Sequence, residues 1–161
     1  MKVIRRVATV LICLVIGQAA FADTVAIAVR PTGVVAESVE AAEFVEYGAM
    51  DTYFFSGHIV FDLTVDPTDD LYSYRAVAEA RLGGADYVVV FDVEFIAEPG
   101  RGVVPTEGRY EIIRLDGTRD ESTDVVVVST LPGSEDLDAA GLAEALGREL
   151  AAQAIERVQE G

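Results

Sequence analysis

The chain has 161 residues, of which 51% are hydrophobic and 25% charged, and its formal net charge is −16. This length suits one domain, and the apolar content excludes an intrinsically disordered chain. The negative charge argues against nucleic acid and anionic membrane surfaces as partners, because both are bound through an excess of Lys and Arg.

The first twenty-two residues have the features of a secretory signal peptide. These are a basic start, an apolar run and a small-x-small cleavage motif, found respectively at Lys2, Arg5 and Arg6, at 7–17, and at 20–22. The apolar run is shorter than the ~20 residues of a transmembrane anchor. Cys13 lies inside it and lacks the small residue that precedes a lipidated Cys, so we expect no lipid anchor. We predict cleavage after Ala22 and an exported protein, periplasmic or extracellular.

The predicted mature chain, 23–161, has few reactive side chains. It keeps all 28 acidic residues and nine basic ones, all Arg, so its formal charge is −19. Its sequence contains no Cys and one His, which excludes a thiolate nucleophile, a disulfide and a Cys-rich or His-rich metal site. We therefore expect a non-catalytic protein with no metal and no cofactor.

Hydrophobic periodicity predicts the elements of the mature chain in order. Residues 24–30 alternate as a strand, and a helical pattern follows over 34–55. Gly57 is suited to end this helix with a positive φ, and 58–65 alternate again as a second strand. The predicted buried stripe of the helix is Val35, Val39, Ala42, Val45 and Ala49.

The middle of the chain begins with a strong helix start. Asp66 is a capping residue and Pro67 suits the first turn, and this second helix should end at Gly83-Gly84. The run 87–95 predicts a strand buried on both faces, followed by a loop over 98–102.

The last third predicts a hairpin and a long helix. Strands over 108–115 and 122–130 flank the turn signal Asp116-Gly117, and a helix covers 135–159. Its apolar stripe is Leu142, Leu146, Leu150, Ala154 and Val158. Small residues beside the stripe, which would let a backbone lie close to the sheet, are Ala143, Gly147 and Ala151.

The element order is therefore β-α-β-α-β-β-β-α, which places the chain in the α/β class with some α+β character. Two strand-helix-strand units predict right-handed parallel crossovers, and the hairpin should extend the sheet in antiparallel fashion. We predict one domain over 23–161, with helices packed on a single mixed sheet of five strands.

Two groups of polar residues could form a site. Glu37, Glu40, Glu43 and Glu46 lie three apart on the first helix, which could bind a cation but is more typical of a solvated face. His58 and Asp62 share one face of the second strand but lie roughly 13 Å apart in an extended chain. We name His58 and Asp62 as the candidate binding residues; a hydrolase would need a nucleophile from elsewhere, such as Ser122.

Acidic residues on the third strand offer a further alternative. Asp92 and Glu94 could lie opposite Arg109, Glu111 or Arg114 of the hairpin. Paired carboxylates are the catalytic groups of glycosidases, but such enzymes need a cleft. Cross-strand ion pairs on a solvated face are the more ordinary interpretation.

Residues 80–90 (ARLGGADYVVV) resemble a feature of bacterial envelope proteins, in which a helix ends in Gly, Ala-Asp-Tyr follows and an apolar strand begins. The hairpin segment 110–118 and the terminal helix over 142–158 complete an arrangement similar to the α/β module of the TolB amino-terminal domain, CsgG and LpoB. The resemblance implies a non-catalytic module for contacts or assembly in the envelope. It transfers no functional residue by position, and no membrane attachment, because the lipidation signal of CsgG and LpoB is missing.

These observations favour a small envelope protein that acts through protein contacts, with the oligomeric state left open. The acid excess is compatible with adaptation to high salt or with a cationic partner. We predict an envelope partner with a basic surface, held more weakly as salt rises. The alternative is a small ligand-binding protein or hydrolase that uses His58 and nearby acidic residues.

Overall fold

The computed structural model describes residues 22–33, 35–63, 72–116, 118–122 and 124–160. The predicted signal peptide, apart from Ala22, lies outside these ranges, as do Asp66 and Pro67. Within them the chain forms six strands and three α-helices. In chain order these are β1 (Thr24–Gly33), α1 (Val35–Phe55), β2 (Ile59–Asp62), α2 (Tyr72–Gly83), β3 (Tyr87–Glu98), β4 (Gly102–Arg114), β5 (Arg119–Glu121), β6 (Val126–Val127) and α3 (Ala139–Glu160).

The strands form a single mixed sheet in the order β2-β1-β3-β4-β5, with β6 also paired to β4. β1 pairs in parallel with β2 and β3, whereas β3 with β4 and β4 with β5 are antiparallel. The predicted mixed sheet and its element order are confirmed, and the short strand β6 is added to the five that were expected.

The helices lie on both faces of this sheet. Val25 and Ile27 of β1 point into a larger core formed with α1 and α3, whereas Ala26 and Ala28 point into a smaller core formed with α2. The chain crosses from β1 to β2 and then returns past β1 to β3. Right-handed crossovers in these opposite directions place α1 and α2 on opposite faces.

The central strand β3 matches its sequence pattern. Residues 87–91 are buried on both faces, as their continuous apolar run predicts. The predicted loop after β3 is a tight turn, in which the Arg101 N–H donates to the Glu98 carbonyl at 3.1 Å. β3 and β4 therefore pair over almost their whole length, and β4 begins earlier than predicted.

The predicted second hairpin strand over 122–130 is wrong as a continuous strand. The Ser122 N–H donates to the Tyr110 carbonyl, and pairing with β4 resumes only at Val126, opposite Gly108. From Val128 to Thr130 the chain turns into a 3₁₀-helix. The physical reason is burial at Val128, whose side chain packs into the larger core where the chain leaves the sheet edge and turns into the 3₁₀-helix.

Among the side chains that the structure describes, which do not include Val35, the buried stripe of α1 differs from the prediction at one position. Val39 is exposed, and Ser38 is fully buried in its place. At 100° per residue Ser38 continues the line of Ala42, Val45 and Ala49, whereas Val39 lies to one side of it. Gly57 does end this segment with a φ of 90°, as predicted.

The last helix starts later than predicted because residues 134–136 form a separate 3₁₀-helix. The Asp138 carboxylate accepts a hydrogen bond of 2.8 Å from the Gly141 N–H, which caps the first turn of α3. Four residues of the predicted stripe are buried and Val158 packs at its edge; the four are Leu142, Leu146, Leu150 and Ala154.

Two glycines bring α1 and α3 into backbone contact. A Cβ on Gly147 would lie 2.0 Å from the Val45 carbonyl oxygen, and one on Gly48 would lie 2.1 Å from the Glu144 carbonyl oxygen. The expectation that Gly147 faces the sheet is therefore wrong, since this glycine faces α1. Helix α3 therefore packs against α1 at a backbone distance that only glycine allows.

We expect Gly147→Ala to lower the free energy of unfolding by about 2 kcal/mol, because the methyl group collides with backbone atoms of α1. In an open helix position the same change stabilises by about 1 kcal/mol. Gly141→Ala is the control in the same helix, since its Cβ would meet side-chain atoms, the nearest at 3.2 Å, rather than backbone atoms at 2.0 Å. Chemical denaturation measures both, and a stabilised Gly147→Ala protein would contradict the contact.

Candidate interaction surface on helix α1

The outer side of α1 exposes large apolar side chains among its carboxylates, unlike that of α3. Tyr47, Phe54 and Phe55 are 64%, 66% and 82% exposed and lie away from the buried stripe. The outer side of α3 instead exposes polar groups such as Arg148, which pairs with Glu144 at 2.6 Å. We call the exposed apolar residues of this helix the α1 face; they are Val39, Tyr47, Phe54 and Phe55.

The aromatic residues of the α1 face expose an apolar area of the size found for the largest patch of a typical monomer. At ~200 Å² for each aromatic side chain, its three aromatic residues expose roughly 400 Å². The rings of Phe54 and Phe55 meet edge to face with centroids 5.7 Å apart, so they form one patch. Exposed apolar patches of a few hundred Å² or more commonly mark protein contact sites.

Carboxylates lie beside the α1 face, at the edge of the sheet. Glu43 and Glu46 of α1 and Asp62 of β2 line a cavity of about 450 Å³ together with Tyr47 and Met50. Burial, followed by the nearby charges of Asp62 and Glu43, raises the pKa of Glu46 from 4.5 to about 7. Glu46 is therefore a carboxyl group that changes its charge near neutral pH.

The structure does not bring the two predicted binding residues, His58 and Asp62, into one site. The His58 ring contacts the edge of Tyr53, with centroids 5.4 Å apart, and its Nδ1 has no hydrogen-bond partner among the described residues. Asp62 instead lines the carboxylate cavity with Glu43 and Glu46. Ligand binding at His58 and Asp62 stays a prediction.

The glutamate ladder on α1 divides between solvent and the cavity. Glu40 and Glu43 are exposed, as a solvated face requires, whereas Glu46 is partly buried. The side chain of Glu37 lies outside the described residues. Sequence reasoning missed Glu46 because its partner, Asp62, comes from another element. It missed the α1 face because it sought one apolar stripe and passed over the aromatic residues off that stripe.

The acidic residues of β3 lie on the part of the sheet beyond α2. Asp92 faces Arg109 across the strands, as predicted, but its ion pair is with Arg30 of β1, through contacts of 2.5 and 2.7 Å. Glu94 faces Glu107. These five residues line an open cavity of about 380 Å³ with Thr32 and Gly108. The bidentate pair ties the carboxyl half of β1 to the middle of β3.

No protein-family model matches the sequence, and no curated protein matches it. Among solved structures, a dodecamer of a PelC variant from Paraburkholderia phytofirmans matches with a TM-score of 0.50 and 17% identity, over 80% of this chain and 86% of that chain. A second PelC dodecamer from the same organism has a TM-score of 0.47 and 16% identity over the same shares. At this identity the first match shows a common fold. Neither match is to TolB, CsgG or LpoB, so that resemblance stays a prediction.

The described residues also bear on metal binding and on membrane spanning. None of their His, Cys, Asp and Glu side chains form a group of three or more placed to hold a metal ion. None of their helices is both long enough and apolar enough to cross a membrane.

We expect Glu46→Gln to stabilise the protein near pH 8 by about 1–2 kcal/mol, after allowance for solvent screening of a half-buried group. The folded pKa of Glu46 is raised, so ionising it costs stability, and this cost grows as pH rises from 4.5 to about 7. The difference between variant and wild type should vanish near pH 4, where Glu46 is protonated in both states.

Urea denaturation across this pH range measures the effect, with Glu156→Gln on the exposed side of α3 as the control. An equal stabilisation at pH 4 and pH 8, or the same pH profile for the control, would contradict a raised pKa of Glu46 in the folded protein.

Proposed function

We propose that this is an exported, non-catalytic protein of the cell envelope that works by assembling with protein partners, further copies of itself included. The observation that carries the proposal is the α1 face. Its aromatic side chains lie in water in the isolated chain, and burying them against another protein is a source of binding free energy.

Two further observations support an assembly role. One solved structure of similar fold is a PelC dodecamer, so this fold is compatible with a large assembly. The predicted signal peptide would direct the chain out of the cytoplasm. The high net charge of the exported chain would favour its solubility there. The carboxylates beside the α1 face suit a partner surface that carries cations, as the net charge of −19 over the predicted mature residues 23–161 indicates.

The alternative is a ligand-binding protein or hydrolase at His58, and the structure offers it less support. His58 packs against Tyr53, whereas Asp62 belongs to the carboxylate cavity. We propose that His58 is a structural residue at the end of α1, where its N–H donates to the Tyr53 carbonyl at 3.0 Å.

The proposal predicts that residues 23–161 self-associate and that Phe54→Ser/Phe55→Ser weakens this association by ~100-fold or more, since exposed aromatic anchors dominate interface energies. Analytical ultracentrifugation over a range of concentrations measures the association. Both phenylalanines are exposed, so the fold should be retained, which circular dichroism verifies.

The matched control is Ile96→Ser/Val125→Ser, which removes two exposed apolar side chains elsewhere on the surface. It should associate like the wild type. A wild-type chain that stays monomeric at all concentrations would contradict self-assembly, and equal losses in both double variants would contradict a specific role for the α1 face.

A further inference from the structure

Strand β2 lies at one end of the sheet, where it pairs with β1 alone among the described residues. Resting on the proposed assembly, we infer that β2 of one copy pairs in antiparallel fashion with β2 of a second copy, centred on Val60. His58 of each copy then contacts Asp62 of the other. The two sheets become one, with both α1 helices on the same face of it.

The backbone of β2 has hydrogen-bonding groups that point away from β1. The Ile59 N–H donates to the Asp23 carbonyl at 3.0 Å, and the Leu63 N–H donates to the Ile27 carbonyl at 2.9 Å. The peptide groups of alternate residues point to opposite edges of a strand, so those of Val60 and Asp62 point outward. An edge of this kind is a template for a further strand.

The side chains select the register of the pairing. Residues whose peptide groups point outward must face each other, so Val60 can lie opposite Val60, Val60 opposite Asp62, or Asp62 opposite Asp62. The third register brings two carboxylates together, which is destabilising, and the second leaves Asp62 opposite an apolar residue. In the first, His58 lies opposite Asp62 twice, so an imidazole that can donate meets a carboxylate that accepts.

The spacing of His58 and Asp62 suits this contact. Both lie on the α1 side of the sheet, where His58 contacts Tyr53 and Asp62 lines the carboxylate cavity. Their separation of roughly 13 Å prevents a contact within one strand. The same separation brings them together in an antiparallel pair centred on the residue midway between them. The His58 N–H keeps its bond to the Tyr53 carbonyl, and the ring gains a carboxylate of the second copy.

The antiparallel arrangement also keeps the acidic parts of the two copies apart. Along β2, Asp62 lies level with Glu46 in the cavity, and His58 lies level with Tyr53. The carboxylate cavity of one copy is therefore placed beside the Tyr53 end of the other α1, away from the equivalent cavity. The three aspartates of residues 66–70 follow β2 in the sequence and lie outside the described residues. The carboxyl ends of the two β2 strands point in opposite directions.

The α1 face borders the same edge of the sheet. Tyr47 lines the carboxylate cavity with Asp62, and Phe54 lies on the same side of α1, because seven residues make close to two helical turns. A second copy paired through β2 brings its own α1 beside these aromatic residues. The strand edge and the α1 face thus form one self-complementary surface, as a two-fold dimer requires.

A cysteine at the centre of the pairing tests it, because residues 23–161 contain no Cys. In the proposed pair the two Val60 Cα atoms are ~5.5 Å apart, a distance that a disulfide spans. We therefore expect mature Val60→Cys to form a disulfide-linked dimer under mild oxidation, measured by non-reducing electrophoresis. Circular dichroism verifies the fold of each variant.

The matched control is Ile59→Cys. Ile59 is 58% exposed, whereas Val60 is partly buried, so random collisions would favour crosslinking at Ile59. In the proposed pair Ile59 lies opposite Phe61, and the two Ile59 residues are diagonal neighbours at ~8 Å, too far for an unstrained disulfide. We expect crosslinking to be ~10-fold slower than for Val60→Cys.

The side-chain contact is tested with His58→Asp and Asp62→His. Each variant alone loses both His–Asp contacts, so we expect its dimer to weaken by ~10-fold or more in analytical ultracentrifugation. An equimolar mixture restores both contacts between unlike chains. Native mass spectrometry with one variant isotopically labelled should then show a one-to-one heterodimer.

The outcomes separate this pairing from the proposed function. If the wild-type chain self-associates but Val60→Cys stays unlinked, or links no faster than Ile59→Cys, the strand pairing is overturned and assembly uses another surface. A mixture of His58→Asp and Asp62→His that associates no better than either variant alone would overturn the His–Asp contact and its register. A wild-type chain that is monomeric at all concentrations would instead contradict the proposed self-assembly itself.

Discussion

The backbone contact between α1 and α3 is the constraint on which the rest of the structure depends. Gly48 and Gly147 each lie where a side chain would collide with a carbonyl oxygen of the opposite helix. Because the contact is made on both helices by glycine, it fixes the rotation of α1 about its own axis. One side of α1 faces the sheet, a second faces α3, and the aromatic residues are left on the side that faces solvent.

The sheet beneath this helix pair separates two different surfaces. Alanines on β1 keep the second face of the sheet shallow enough for α2 to pack closely, while valine and isoleucine on the other side support α1 and α3. Beyond the end of α2 the same face is polar, and the Arg30–Asp92 pair joins β1 to β3 there. One part of this sheet face is thus buried under α2, and the next part carries an ion pair. Both parts use alternate residues of the strands, which point to the same face.

The fold could be predicted from the sequence wherever the hydrophobic pattern of a segment was long and regular. The two long helices and the buried strand β3 follow from their apolar patterns, and Gly57 ends α1 as its position predicts. The segment after β5 could not be predicted this way, because its run of valines reads as a strand although two of them are drawn into the core. A local sequence pattern does not show which part of the fold a side chain will pack against.

The candidate site was less predictable for a related reason. Glu46 acquires its raised pKa from burial and from Asp62, which is sixteen residues away along the chain and on another element. The α1 face could likewise be recognised only once the buried side of the helix was known. If α1 were rotated by 180° about its axis, Phe54 and Phe55 would be core residues. By contrast His58 stood out in the sequence because it is unique, and uniqueness alone indicates no contact.

The glycine contact also has a consequence for the surface of the protein. Any residue larger than glycine at position 48 or 147 would push α1 and α3 apart. Such a shift would move Tyr47, Phe54 and Phe55 relative to the sheet. The packing inside the protein therefore sets the shape of the surface that α1 offers to a partner.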